Sequence, residues 1–178
     1  QIKPDLITFA KGVTSGYLPL GGVMVGDRVA DTLIEKGGEF NHGFTYSGHP
    51  ASCAVAIKNI QILKDENLIE RVKNEIGPYM QEKWHSLAEH PTVGETRMVG
   101  LMGAMELVAN KSSAERYDNK STAGTVYRDF AVNNGLVMRA VGDTIVTSPP
   151  LIISNTEVDE LIDKAWKCLD HTYKTMTS

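Results

Sequence analysis

The sequence lacks the features that mark membrane, disulfide-rich and nucleic-acid-binding proteins. Its 178 residues include only two cysteines, Cys53 and Cys168, and two isolated cysteines do not make a disulfide framework. The uncharged stretch 12–26 is rich in glycine and contains Pro19, so it does not predict a membrane helix. Lysine and arginine number 18 against 22 aspartates and glutamates, with no basic run to bind nucleic acid. We therefore expect a globular protein from a reducing, cytoplasmic compartment.

Hydrophobic periodicity and turn residues predict an α/β protein in two parts. Strands are expected at 6–10, 21–26, 93–97, 101–108, 136–139 and 144–147, and helices at 27–36, 50–64, 68–87 and 121–133 and after residue 154. From these elements we place a β/α piece at residues 1–66, a connecting helix at 67–90 and a small α+β domain at 91–178.

Local signals fix several of the expected boundaries. Pro78 lies inside the long amphipathic helix, so a kink or break is expected there. Gly135 follows the weak helix 121–133 in a position typical of a left-handed cap. Ser154 and Glu157 have the spacing of a capping box at the start of the last helix.

Lys11 is the first candidate for chemistry. It directly follows the apolar strand 6–10 and precedes a loop of small residues, which would let a ligand approach. Partial burial would lower the pKa of its amine and free that amine for Schiff-base formation. The alternative is an exposed lysine that merely follows a strand. The loop itself has neither a Walker A motif nor a G-x-G-x-x-G motif.

A second candidate is the segment before the helix expected at 50–64. Thr45, Ser47 and Gly48 lie just before that helix, and Pro50 falls in its first turn. Hydroxyls and free amides at a helix N-terminus favour a phosphate. An ordinary capping loop would have the same residues, so both interpretations stay open.

Arg139 ends the strand expected at 136–139, beside the turn formed by Gly142 and Asp143. Its forked guanidinium would suit a substrate carboxylate. A structural ion pair is the alternative, and the residues alone do not decide between the two.

Two other chemistries find no support in the sequence. His42, His49 and Cys53 do not have the spacing of a standard metal site, so no metal is predicted. A serine hydrolase is not expected either, because no G-x-S-x-G motif is present.

Four segments together resemble the class III aminotransferases, which are pyridoxal 5'-phosphate (PLP) enzymes of fold type I. They are DLITFAKGVTSGYLPLGG at 5–22, GFTYSGHP at 43–50, GLMGAMELV at 100–108, and GLVMRAVGD at 135–143, the last running into SPPL at 148–151. The segments occur in the family's order and span nearly the whole chain. The resemblance implies the C-terminal part of a fold type I transferase, with the end of the large α/β domain followed by the small α+β domain.

The resemblance also implies roles for single residues. Lys11 corresponds to the lysine that forms the Schiff base with PLP and then moves the proton between the substrate Cα and the cofactor C4′. Thr45 corresponds to the threonine that binds the cofactor phosphate of the neighbouring subunit, and Phe44 would flank that site. A homodimer with shared active sites follows from this correspondence.

The position of the arginine indicates a subgroup. Ornithine, acetylornithine and GABA aminotransferases usually hold their carboxylate-binding arginine between the Gly-Asp turn and the Pro-Pro pair, where this sequence has only residues 144–148, TIVTS. Arg139 instead precedes the turn, as in the amine:pyruvate and ω-amino-acid:pyruvate group. The implied reaction moves an amino group from a primary amine, diamine or ω-amino acid to pyruvate. Its small-molecule partners are thus an amine donor and a 2-oxo acid acceptor, and the sequence does not name the donor.

Two alternatives remain open beside this reaction. One is another enzyme of the same family, such as an aminomutase or a decarboxylase-like relative. The other is a binding or assembly module that keeps the fold without the cofactor.

The family's remaining cofactor-binding residues lie upstream of the lysine. They are a phosphate-binding Gly-Ser segment, an aromatic residue stacked on the pyridine ring and an aspartate paired with the ring nitrogen. Only ten residues precede Lys11, and the chain starts at Gln1 without an initiator methionine or a signal peptide. We therefore expect these 178 residues to be part of a longer protein and to be inactive alone.

Overall fold

The computed structural model describes residues 2–118 and 122–178. These residues form two compact units, 1–67 and 68–178. The first unit contains β1 (Leu6–Ala10), a 3-10 turn (Lys11–Thr14), β2 (Gly21–Val25), α1 (Asp27–Lys36) and α2 (Pro50–Asp65). The second contains α3 (Leu68–Arg71), a π-helical segment (Val72–Ile76), α4 (Gly77–Ser86), a 3-10 turn (Leu87–Glu89), β3 (Val93–Val99), β4 (Met102–Leu107), α5 (Thr122–Asn133), β5 (Arg139–Val141), β6 (Thr144–Thr147) and α6 (Asn155–Thr177). Within the described ranges, no helix is long and apolar enough to cross a membrane.

The first unit is built on an antiparallel pair, β1 and β2, in which Leu6 lies opposite Val25. An ion pair fixes the start of α1 against the start of β1, because Arg28 Nε donates to Asp5 Oδ1 at 2.9 Å. This hydrogen bond holds the pKa of Asp5 below its usual value. Large apolar side chains on both faces of the pair are exposed: Leu6, Ile7, Phe9, Val23, Met24 and Val25.

The second unit has an antiparallel four-stranded sheet in the order β3-β4-β6-β5. Helices α4 and α5 pack against the sheet, and α6 packs against both helices. Trp84 of α4 is fully buried, and its Nε1 donates to the carbonyl of Ala104 in β4 at 3.2 Å. The other large, fully buried apolar side chains of this core come from all layers: Ile76, Met80, Leu87, Val93, Met105, Tyr127, Ile145, Val158 and Leu169.

The interruption expected near Pro78 is confirmed. The helical stretch switches to π-helical geometry over Val72–Ile76 and returns to an α-helix at Gly77. A Cβ atom at Gly77 would lie 2.1 Å from the carbonyl oxygen of Val72, so only glycine fits here. The π-helical segment thus absorbs the disturbance that the proline introduces.

Two predicted helix boundaries are also confirmed. Ser154 and Glu157 form a complete capping box, in which Ser154 Oγ accepts from the Glu157 N–H and the Glu157 carboxylate accepts from the Ser154 N–H. After α5, Gly135 has a left-handed φ of +72°, as expected for a C-terminal cap.

The strand predicted at 136–139 is wrong in its bounds, because the observed β5 covers Arg139–Val141. Arg139 therefore begins a strand instead of ending one. It pairs with Val146, near the end of β6, and the chain leaves the sheet before Pro149. Residues ahead of Arg139 consequently have no strand to pair with, although Leu136 and Met138 still point into the core.

The turn between β5 and β6 packs tightly against the start of α5. Gly142 takes a left-handed φ of +63°, and Asp143 Oδ1 accepts a hydrogen bond from the Gly124 N–H at 2.8 Å. A Cβ atom at Gly124 would lie 2.0 Å from the Gly142 carbonyl oxygen. A glycine is therefore required at position 124 for the helix and the turn to approach this closely.

A buried histidine lies between the loop before β3 and α6. The His90 side chain is 3% exposed, and its Nδ1 accepts from the Thr92 N–H at 3.2 Å. The proton of the neutral ring is therefore on Nε2, which lies 3.2 Å from Asp170 Oδ1. Trp166 and Tyr173 meet the ring edge to face.

Burial lowers the pKa of His90 below its ordinary 6.5; Asp170 opposes this shift and Lys111 adds to it. We predict that the free energy of unfolding falls as the pH drops below about 6.5, because the unfolded chain then binds a proton more readily than the folded one. The effect is absent above that pH. Urea unfolding at a series of pH values should show a flatter slope below pH 6.5 in His90→Gln than in the wild type. A slope unchanged in His90→Gln would contradict this prediction.

Candidate active site

The backbone turns sharply at Lys11, directly after β1. Ala10 is fully extended, with φ −164° and ψ −168°, and Lys11 then takes a left-handed φ of +54°. A 3-10 turn follows and ends at Ser15, which is also left-handed with φ +49°. A left-handed φ at a residue other than glycine costs on the order of 1 kcal/mol. This backbone conformation persists only where other contacts stabilise it.

Thr14 holds the turn from within. Its side chain is almost completely buried, and its hydroxyl donates to the carbonyl oxygen of Leu18 at 2.5 Å. The same hydroxyl lies 3.4 Å from the carbonyl oxygen of Lys11. One buried hydroxyl therefore links both ends of the loop that follows the lysine.

Asn59 of α2 holds the same turn from outside. Its Nδ2 donates to the carbonyl oxygens of Gly12 at 3.0 Å and Val13 at 3.1 Å. Its Oδ1 accepts from the Ser15 hydroxyl at 2.7 Å. Asn59 is not predicted as a site residue from the sequence, although an asparagine in the middle of an otherwise apolar helical face is unfavourable without a partner and is a usable signal.

The side chain of Lys11 is exposed, so the partial burial considered from the sequence is not found. Among the described residues it makes no hydrogen bond or ion pair. It borders an open depression of about 420 Å³ whose other lining residues are small or apolar: Ala10, Thr14, Gly16, Leu18, Pro19 and Leu20. A primary amine thus stands free at the rim of a space large enough for a ligand.

Thr45 and Phe44 lie on an exposed turn before α2. The turn is closed by Ser47, whose Oγ accepts from the Phe44 N–H at 2.9 Å and whose N–H donates to the Phe44 carbonyl at 2.9 Å. The Thr45 hydroxyl makes no hydrogen bond among the residues that the structure describes. In the described part of the chain, the side chain of His49, the residue before Pro50, makes no capping hydrogen bond to α2, so this segment is not an ordinary capping loop.

Arg139, at the start of β5, lies in the second unit and is exposed. Its guanidinium has no hydrogen-bond or ion-pair partner in the described part of the chain. The structural ion pair considered as an alternative for this residue is therefore not present there.

The cysteines and histidines do not form a further site. Residues 2–118 and 122–178 contain no group of three or more histidine, cysteine, aspartate or glutamate side chains placed to hold a metal ion. Cys53 and Cys168 are both free thiols. Burial raises the pKa of Cys168 to about 11, which keeps this thiol protonated and unreactive at neutral pH.

Comparison with known proteins identifies the family. The model of the class III aminotransferases matches residues 1–169, almost the whole chain. The chain belongs to the class III aminotransferases. This family is PLP-dependent, so the expected family, cofactor and fold are confirmed.

Two curated relatives show how the similarity is distributed. The putrescine–pyruvate aminotransferase of Pseudomonas aeruginosa is 55% identical over 169 residues, which cover 95% of this chain and 37% of that protein. The mitochondrial gamma aminobutyrate transaminase 1 of Solanum lycopersicum is 43% identical over 177 residues, which cover 98% of this chain and 34% of that protein. The chain thus spans little more than a third of the length of these relatives. GABA transaminases, set apart above by the position of their arginine, are nonetheless among its relatives.

Solved transaminase structures share the fold. A transaminase from the marine bacterium Virgibacillus superposes with a TM-score of 0.92 at 38% identity, over 98% of this chain and 40% of that one. An (S)-enantioselective ω-transaminase from Thermomicrobium roseum superposes with a TM-score of 0.90 at 43% identity, over 96% of this chain and 38% of that one.

The candidate site residues of this chain are chemically suited to bind PLP. Lys11 offers the unpaired primary amine that a pyridoxal aldehyde requires. Open space surrounds Gly12 and Gly16, where a Cβ atom would meet nothing within 4 Å. The unpaired Thr45 hydroxyl on an exposed turn is a suitable donor to a phosphate.

Proposed function

We propose that this chain carries the catalytic lysine of a transaminase that moves an amino group from a primary amine, diamine or ω-amino acid to pyruvate. The observation that carries the proposal is the exposed, unpaired Lys11 amine on a fixed left-handed turn, in a chain 55% identical to a putrescine–pyruvate aminotransferase. Both relatives named above fall within the proposed donor class, since putrescine is a diamine and gamma aminobutyrate is an ω-amino acid.

Lys11 would have two tasks. Its Nζ would hold the cofactor covalently while no amino donor is bound. Once released, the same amine, at the end of β1, would act as the base that accepts the proton of the substrate Cα and as the acid that gives a proton back. PLP, when bound, supplies the electron sink that makes this proton acidic.

Thr45 would serve the other subunit of a homodimer. Its turn lies on the surface, where the hydroxyl can donate to the phosphate of the partner subunit's cofactor. Phe44, which is 83% exposed, would flank that contact and become covered in the dimer. Each active site would then contain residues of both subunits.

Arg139 would select the acceptor. Its unpaired guanidinium can bind the carboxylate of a 2-oxo acid through two parallel hydrogen bonds. An amine donor without a carboxylate has no use for this contact. Arg139 would therefore matter in the half-reaction with pyruvate and much less in the half-reaction with the amine.

The first test locates the cofactor. We predict that borohydride reduction of the full-length, PLP-loaded gene product leaves a phosphopyridoxyl group on Lys11, detected by peptide mass spectrometry. Lys58, an exposed lysine on α2, serves as the internal control and should stay unmodified. An adduct on another lysine, or none on fully reconstituted protein, would contradict the proposal and favour a module that keeps the fold without the cofactor.

The second test asks whether the active sites are shared. Homodimers of Lys11→Ala and of Thr45→Val should each have little activity, because each lacks one part of every site. A mixed dimer contains one intact site, with Lys11 from one subunit and Thr45 from the other. Random exchange of subunits should therefore restore about a quarter of the wild-type activity. No gain on mixing would place Thr45 in the site of its own subunit.

The third test addresses the acceptor. Arg139→Ala should raise the KM for pyruvate about 10- to 100-fold, the range expected for losing hydrogen bonds to a charged group. The KM for a plain primary amine should change little. Arg128→Ala removes another exposed arginine, one whose ion pair among the described residues is with Asp129, and should change neither value. Equal effects of Arg139→Ala on pyruvate and amine would contradict this assignment.

A further inference from the structure

We propose that Asn59 is a positioning residue for Lys11, which sets the direction of the lysine amine by holding the turn that carries it. The inference rests on the proposed function, because it assigns to Asn59 a part in the chemistry of Lys11. It goes beyond that function in naming a residue that lies 44 positions from its nearest turn partner, Ser15, and does not itself touch the reacting atoms.

The contacts of Asn59 cover the whole turn. Its Nδ2 spans two consecutive carbonyls, those of Gly12 and Val13, and its Oδ1 accepts the Ser15 hydroxyl. All three bonds have ordinary lengths, between 2.7 and 3.1 Å. A single side chain therefore binds three of the four residues that follow the lysine.

The turn needs such an external hold because its backbone is strained at both ends. Lys11 and Ser15 have left-handed φ angles of +54° and +49°, and neither is a glycine. Released from its contacts, the turn would relax towards ordinary φ values. The Cα–Cβ bond of Lys11 would then rotate and move the amine away from its working position.

The helix that carries Asn59 is also suited to this task. It runs without interruption for 16 residues, from Pro50 to Asp65, and packs on the turn. The Thr45 turn lies just ahead of the same helix. About 14 Å of helix therefore separate the start of α2 from Asn59. A shift of α2 caused by contacts of the Thr45 turn would reach the Lys11 turn through this side chain.

The first measurement uses cofactor-free, full-length protein and does not depend on catalysis. Hydrogen exchange of the Ser15 and Tyr17 amides reports the turn, because they donate to the carbonyls of Gly12 and Thr14. We expect exchange about tenfold faster or more in Asn59→Ala and in Asn59→Asp, which is isosteric but has no amide donor. Gln61→Ala is the matched control on the same helix, since Gln61 donates only to Asp65.

The second measurement separates positioning from a purely structural role in the loaded enzyme. The number of working sites is counted as Lys11 trapped by borohydride, and kcat is expressed per trapped lysine. Misplacement of the amine should lower this kcat about 10- to 100-fold in Asn59→Ala and Asn59→Asp, with little change in the KM for pyruvate. A side chain needed only for stability would reduce the trapped fraction and leave kcat per trapped lysine at the wild-type value.

The results of these experiments distinguish the positioning role of Asn59 from the proposed transaminase function. Wild-type exchange rates, or a wild-type kcat per trapped lysine, in both Asn59 variants would overturn the positioning role while leaving the transaminase intact. Absence of a trapped Lys11 in the unaltered enzyme would instead overturn the proposed function itself.

Discussion

The candidate site depends on a strained backbone turn that hydrogen bonds from within the loop and from α2 hold in place. β1 ends in extended geometry, and the next residue is forced into the left-handed region, where a lysine is disfavoured. Hydrogen bonds from Thr14 inside the loop and from Asn59 on α2 hold it there. The unusual backbone places Lys11 at the rim of an open depression, and α2 packs on the turn.

The second unit and the Lys11 turn of the first unit depend on different interactions. The second has a continuous apolar core in which Trp84, Met105 and Leu169 are fully buried. In the first unit, the strand side chains are exposed. One of its few buried side chains is Thr14, whose hydroxyl donates a hydrogen bond within the loop. Burial of apolar surface therefore stabilises the unit that bears Arg139, whereas directional hydrogen bonds define the turn that bears Lys11.

Local sequence signals predicted the elements well where a single residue fixes the geometry. Pro78 marked the helix interruption, Gly135 the cap of α5, and Ser154 the start of α6, because each acts on backbone groups within a few residues. The start of β5 was mispredicted because pairing depends on where β6 ends, which the apolar run 136–139 does not encode.

The candidate site was predictable only in part, for a related reason. Lys11 and Thr45 could be predicted because each lies within a continuous segment of sequence that resembles the family. Asn59 does not, because its partners lie 46 and 47 residues away and only the folded chain brings them together. The absence of a partner for Arg139 is likewise a property of the folded surface, and the sequence left an ion pair equally open.

The contact between Gly124 and Gly142 restricts which substitutions the structure around Arg139 can accept. The hairpin that starts with Arg139 turns at Gly142, and the carbonyl there leaves no room for a side chain at position 124. Libraries that diversify the helix start would push the hairpin out of place and lose the arginine's position along with its turn. Val141 also lies on the hairpin but is exposed, so substitution there does not require space at position 124.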